Sequence, residues 1–230
     1  FVVASIIQNR NLKKNLIYKY FLWGLFAKIF GAIGLCLIYV YYYKEGGDTL
    51  HYHSSAVSFV NLLFQSPVNF LKVWVGSASP ENYSLFNQNT GYPDFFNTSY
   101  EIYVVKLLVP LEFISFNSYF VTSILMAVIS YTGAWKLYTM FCKIYPLLYK
   151  RFAIAILFIP SVLFWGSGIL KDSWTLAACG WFCASFYGIF INRKTTSGPV
   201  ISILLASLIL IFVKPYIFMA LMPACIIWGT

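Results

Sequence analysis

YKYFLWGLFAKIFGAIGLCLIYVYYY, residues 18–43, decides the class of fold. Within the run from Ile17 to Tyr43 the charges are Lys19 at its start and Lys28 inside it, and the length exceeds the roughly 20 apolar residues that a helix needs to cross about 30 Å of hydrocarbon. Backbone N–H and C=O groups inside a bilayer must be bonded within the segment, so a helix is expected here. Arg10, Lys13, Lys14 and Lys19 precede the run and put its start on the cytoplasmic side. Tyr39, Tyr41, Tyr42 and Tyr43 close it with rings suited to the far interface.

The rest of the chain has the same character. It is 60% hydrophobic, 20% aromatic and 10% charged, against roughly 25% charged residues in an ordinary soluble domain. A soluble fold of this length has no interior large enough to hide that apolar surface. The net charge of +9 comes from short basic clusters between apolar runs. A nucleic-acid partner would call for a continuous basic face, so none is expected; the clusters are topology signals. Cys36, Cys142, Cys179, Cys183 and Cys225 lie in or beside apolar stretches, without metal-type spacing, and read as packing residues.

From Lys44 to about Tyr100 the chain is mixed in character and broken by Gly46, Gly47, Pro67, Pro80, Gly91 and Pro93. This predicts a large external loop, residues 44–100. Its runs SSAVSFVNLLF and PVNFLKVWV are too short to cross and suit helices lying at the interface. Ile102 to Tyr138 then predicts a partial helix, a break around Pro110 to Asn117, and a returning span from Ser118 to Lys136. Further spans are expected over Phe152 to Ser167, Trp174 to Ile191, and from Pro199 toward Lys214 and Pro215. Lys136, Lys143, Lys150 and Arg151 form one cytoplasmic cluster, and Asn192, Arg193 and Lys194 end the fourth span on the same side. The expected fold is all-α: a polytopic transmembrane bundle of about five spans, residues 1–230 as a single transmembrane domain. A start at Phe1 rather than Met, and an end at Thr230 inside an apolar run, predict a piece of a longer chain.

Three segments carry polar residues to the external side. GGDTLHYH, Gly46 to His53, follows the first span directly. There Asp48 reads as a general base or a metal ligand, with His51 or His53 assisting; on a helix Asp48, His51 and Tyr52 share a face. A zinc site on the two histidines lacks a third ligand of convincing spacing. PSVLFWGSGILKDSW, Pro160 to Trp174, holds Lys171 and Asp172, the only charges between Arg151 and Arg193; VKPY, Val213 to Tyr216, holds Lys214, the only charge after Lys194. Ionisable residues at a bilayer edge are functional candidates by default. Each segment alone also fits an ordinary loop, a capping aspartate or a snorkelling lysine. Their convergence on one surface favours a site: two lysines hold a phosphate as point charges, and a carboxylate takes a proton from an acceptor hydroxyl.

With GGDTLHYH after a first span, PSVLFWGSGILKDS and VKPY, the chain resembles the GT-C superfamily of polytopic membrane glycosyltransferases, of the protein mannosyltransferase and arabinosyltransferase type. The resemblance covers most of the chain in outline and rests on short motifs. It implies inverting transfer from a polyprenyl-phosphate sugar in a bacterial inner membrane, with Asp48 as catalytic base and Lys171, Asp172 and Lys214 binding substrate. A divalent metal is a cofactor the resemblance allows, but no second acid flanks Asp48. A polysaccharide polymerase using lipid-linked substrates is a close alternative. A non-catalytic subunit packed against other membrane subunits is the alternative of a different class. The absence of an inverted repeat argues against a transporter.

Overall fold

The computed structural model describes residues 1–43, 47–98, 100–193 and 196–229, and every described element is helical. Gly46 of the GGDTLHYH motif and Lys194 of the fourth basic turn lie outside the described residues. The helices are α1 (Val2–Leu12), α2 (Phe21–Tyr41), α3 (Asp48–Gln65), α4 (Pro67–Val75), α5 (Pro80–Tyr83), α6 (Glu101–Ile114), α7 (Tyr119–Ile144), α8 (Tyr149–Phe152), α9 (Pro160–Trp165), α10 (Lys171–Phe186), α11 (Ser197–Val213) and α12 (Pro215–Gly229).

Among the described residues, three helical stretches are long and apolar enough to cross a membrane: Leu16–Tyr41, Tyr119–Ile144 and Lys171–Ile191. The first begins with a 3-10 turn, Leu16–Tyr20, started by the Asn15 side chain accepting the Ile17 N–H; the third ends in a π-helical turn, Tyr187–Ile191. Trp23, Phe26 and Phe30 stand exposed along one side of α2, as do Ile201, Leu204, Leu205 and Leu208 along α11. Apolar faces this large suit lipid rather than water.

The other two expected runs are shorter as helices: proline interrupts the one from Phe152 to Ser167, and α11 covers the one from Pro199 to Lys214. In Phe152 to Ser167 the chain passes from α8 through a π-helical turn, Ala153–Leu157, and is extended at Ile159 before Pro160 starts α9. Lys214, at φ −146° and ψ 78°, leaves the helical region before Pro215, so α11 and α12 have 17 and 15 residues and are separate helices, and α11 ends where the fifth run was expected to end. Both follow from the clash between a proline ring and a helical preceding residue.

Pro110 behaves differently from expectation. Helix α6 continues through it to Ile114, and the break comes later, at Phe116 and Asn117, whose φ angles of 55° and 59° are left-handed. A proline inside a helix frees the carbonyl four residues back. That carbonyl, Lys106 O, accepts the Trp74 indole N–H at 3.1 Å, so α4 supplies the donor that proline removed. Helix α7 then runs to Ile144, about two turns past the expected end at Lys136.

Two packing layers fix the ends of the bundle. Helices α3, α4 and α6 bury Tyr52, Phe59, Leu62, Phe70, Val105 and Leu108 in one core. Helices α7 and α10 meet backbone to backbone: a Cβ on Gly180 would lie 2.1 Å from the Gly133 carbonyl oxygen, and one on Gly133 would lie 2.3 Å from that of Ala177. Small residues at such a crossing let dispersion act between backbones where lipid removes the hydrophobic drive.

Candidate functional site

The site begins where α2 hands over to α3. Gly47 sits against the Tyr39 ring, with room for a Cβ only 2.5 Å from Cε1. Asp48 follows as the first residue of α3, exposed, where a carboxylate complements the N-terminal helix dipole. Among the described residues its carboxylate accepts no hydrogen bond and joins no ion pair.

One turn along α3, Tyr52 buries its ring and packs on Phe95. Burial pushes its hydroxyl well above the ordinary tyrosine range, and the negative charges of Glu101, Asp48 and Asp172 push it further. Three carboxylates from α3, α6 and α10 therefore bear on one hydroxyl. Lys171, at the start of α10, donates to Glu101 at the start of α6. Lys214, at the bend between α11 and α12, donates to Asp172 Oδ1 at 2.5 Å. Burial acts to raise the Glu101 carboxyl, but the Lys171 ammonium and backbone N–H donors override it and hold the group below its usual range. Burial likewise acts to lower Lys214, and Asp172 overrides that and holds it above its usual range.

Asp48, Lys171, Asp172 and Lys214 thus gather at one end of the bundle. The histidines turn elsewhere. His51 Nδ1 is 2.9 Å from Asp94 Oδ2, which also accepts from Ser54 Oγ at 3.0 Å, in an exposed pair. His53 Nδ1 is 2.8 Å from Oε1 of Glu112, a fully buried carboxylate whose Oε2 accepts from Thr122 Oγ1 at 2.9 Å. With Glu112 ionised, Nδ1 of His53 carries the proton and Nε2 is the acceptor nitrogen. Neither histidine is hydrogen-bonded to Asp48.

Asp172 also edges a groove of about 380 Å3 between α9 and α10, walled by Val162, Trp165, Leu176 and Cys179, with Thr175 beside the carboxylate. Beneath it lies Lys28, 2% exposed, whose ammonium donates to Val162 O at 3.0 Å. Among the described residues no three His, Cys, Asp or Glu side chains gather as a metal site. Chemically, this end offers a free carboxylate as proton acceptor, two paired ammonium groups and an apolar groove with a polar edge.

Sequence reasoning passed over Glu101, Asp94, Glu112 and Lys28. Glu112 and Lys28 carry the signal that singled out Lys171, an ionisable group inside an apolar run; Asp94 and Glu101 sit in or beside a polar loop and carry none. In comparisons with protein-family models, curated proteins and solved structures, nothing matches this chain.

Proposed function

We propose that the protein is a multi-pass enzyme of the bacterial inner membrane that transfers a sugar from a polyprenyl-phosphate donor to an acceptor at the external face. Five crossings follow if the α8–α9 unit and α11 also traverse the bilayer. The observation that carries the reading is the convergence around Tyr52: Asp48, Lys171, Asp172 and Lys214 come from three distant segments, and Asp48 alone among the carboxylates there has no partner among the described residues. A partnerless carboxylate can accept the proton of an acceptor hydroxyl. An ammonium has three donors, so Lys171 and Lys214, each paired with one carboxylate, have donors left for a phosphate. The groove beside Asp172 suits a polyprenyl chain. His53, oriented by Glu112, supplies a second proton-transfer group, and His51 closes the rim with Asp94.

The experiment is transfer by purified protein from a polyprenyl-phosphate sugar. Asp48→Asn keeps the shape and removes the basicity, so turnover should fall about a hundredfold or more with donor binding retained. Full activity in Asp48→Asn removes the assignment.

One observation favours a second reading, a non-catalytic subunit among other membrane subunits. Lys171 and Lys214 cross-link α6, α10 and the α11–α12 bend, a structural task in its own right. A polysaccharide polymerase shares the chemistry of the first reading and differs in using a lipid-linked glycan as acceptor.

A further inference from the structure

The other end of the bundle carries a cavity built differently. It has a volume of about 400 Å3 and lies between the ends of α7 and α10 and the start of α11. Lys136 and Lys143 from α7 stand at its mouth, with Ser185, Tyr187 and Asn192 from the α10 side and Gly198 from the first turn of α11. It is remote from Asp48: Lys171 opens and Ile191 closes a helical stretch of 21 residues, about 30 Å long.

Four observations point to the same ligand chemistry. Neither lysine has a carboxylate partner among the described residues; Lys136 donates only to the neutral Ser202 Oγ, at 3.1 Å. Ser185 is 4% exposed and lines the cavity, yet its hydroxyl makes no hydrogen bond among the described residues. Ser58, Thr175 and Ser207 in comparable helices bond the carbonyl one turn back, whereas the Ser185 hydroxyl faces the cavity with its hydrogen-bonding capacity free among the described residues. Helix α11 starts here with no acidic residue in its first turn and no side-chain cap, which leaves N–H donors at its positive end unanswered among the described residues. Finally, the exposed apolar face of α11, Ile201, Leu204, Leu205 and Leu208, leads away from the cavity along the helix.

We propose that this cavity binds the phosphate of an anionic phospholipid headgroup, with the acyl chains lying on the outer face of α11. Lys136 and Lys143 supply the counter-charge and Ser185 a hydroxyl donor. A basic pocket between helix ends at the interface is the arrangement that recognises such headgroups. The site is independent of the transferase reading and shares no residue with it.

The test uses the purified chain in nanodiscs of phosphatidylcholine, titrated with phosphatidylglycerol and read by native mass spectrometry of retained lipid. Wild type should retain phosphatidylglycerol in preference to phosphatidylcholine. Removing a lysine should weaken retention about fivefold, so Lys136→Gln with Lys143→Gln should weaken it about 25-fold. Ser185→Ala should weaken it less. Lys13→Gln with Lys150→Gln removes the same charge outside the cavity and should leave retention unchanged. Both double variants should elute and melt as wild type in phosphatidylcholine alone. Equal retention of the two lipids by wild type, or an equal loss in the Lys13/Lys150 variant, overturns the proposal. Complete displacement of the lipid by millimolar inorganic phosphate reassigns the site to free phosphate and overturns the lipid claim.

Discussion

The two ends of this bundle treat their cationic groups in opposite ways. At the Asp48 end Lys171 meets Glu101, Lys214 meets Asp172, His51 meets Asp94 and His53 meets Glu112. At the Lys143 end the described lysines have no carboxylate within reach. The Asp48 end therefore gains its order from inside the chain, through pairs that tie α3, α6, α10 and the α11–α12 bend together. The Lys143 end keeps its charge for the surroundings. Net charge of +9 is concentrated where the membrane surface, rather than the fold, can answer it. The comparison breaks if pairs at the first end prove dispensable or if charges at the second prove structural.

The largest effect is expected at Glu112. Glu112→Ala leaves His53, Thr122 and Ser115 without their shared acceptor in a fully buried place. A buried donor left without its acceptor costs about 1–3 kcal/mol, and more than one donor loses a partner here. Thermal melting in detergent should show the loss; a melt like wild type would mean that water replaces the carboxylate and that the Asp48 end is less dry than its burial implies.

Next in size is Gly180→Leu, which drives a side chain into the Gly133 backbone where even a Cβ has 2.1 Å of room. Overpacking of this kind costs about 1–3 kcal/mol. Because the α7–α10 crossing lies between the two ends, this variant should disturb both: turnover at the Asp48 end and lipid retention at the Lys143 end should fall together. A loss at one end alone would show that the ends are not held in register by this crossing.

The pairs at the Asp48 end also give stability a pH dependence. The folded Glu101 carboxyl lies below its ordinary 4.5. Its contribution is therefore fully present above about pH 4.5 and is lost as pH falls through the folded value. The folded Lys214 ammonium lies above its ordinary 10.5, so its contribution is present below that pH and is lost as pH rises through the folded value. Melting curves should thus weaken in acid and in strong base. Lys171→Ala removes the principal cause of the Glu101 shift, should cost about 1.5–3 kcal/mol for the lost charged hydrogen bond, and should flatten the acid limb. An unchanged acid limb would place its origin in another carboxylate.

How much of this could be read from residues alone divides along the same line. The three spanning helices were legible because each is a local matter of length and apolarity, and the gathering of Asp48, Lys171, Asp172 and Lys214 at one end followed from loop charge. Partners were not legible. Nothing local says that Trp74 will answer the carbonyl freed by Pro110, or that His53 will turn to Glu112, 59 residues away. Pro160 inside the run Phe152 to Ser167 is visible in the sequence, and Pro215 ends the fifth run where the sequence reading places its end. The rule that disfavours a helical residue before proline reads Ile159 and Lys214 as breaks. Pro110 escapes because a neighbouring helix supplies a donor, and no such donor is available from sequence inspection.

The smallest effect is expected at the Lys143 end and is the sharpest test of the contrast. Lys143 makes no ion pair or side-chain hydrogen bond among the described residues and stands exposed beside Lys136 and Lys14, which line the same and an adjoining cavity. Lys143→Gln removes repulsion and no attraction within the chain, so stability in phosphatidylcholine should stay within about 0.5 kcal/mol of wild type. In bilayers containing phosphatidylglycerol the balance changes: wild type gains a counter-charge that the variant cannot use fully, and its melting temperature should exceed the variant's by more than it does in the neutral lipid. That difference should shrink as salt is raised, since exposed charges are screened over about 10 Å at 0.1 M. Instability of Lys143→Gln in neutral lipid would mean that this lysine is held by the fold after all, and the two ends would then differ in degree only.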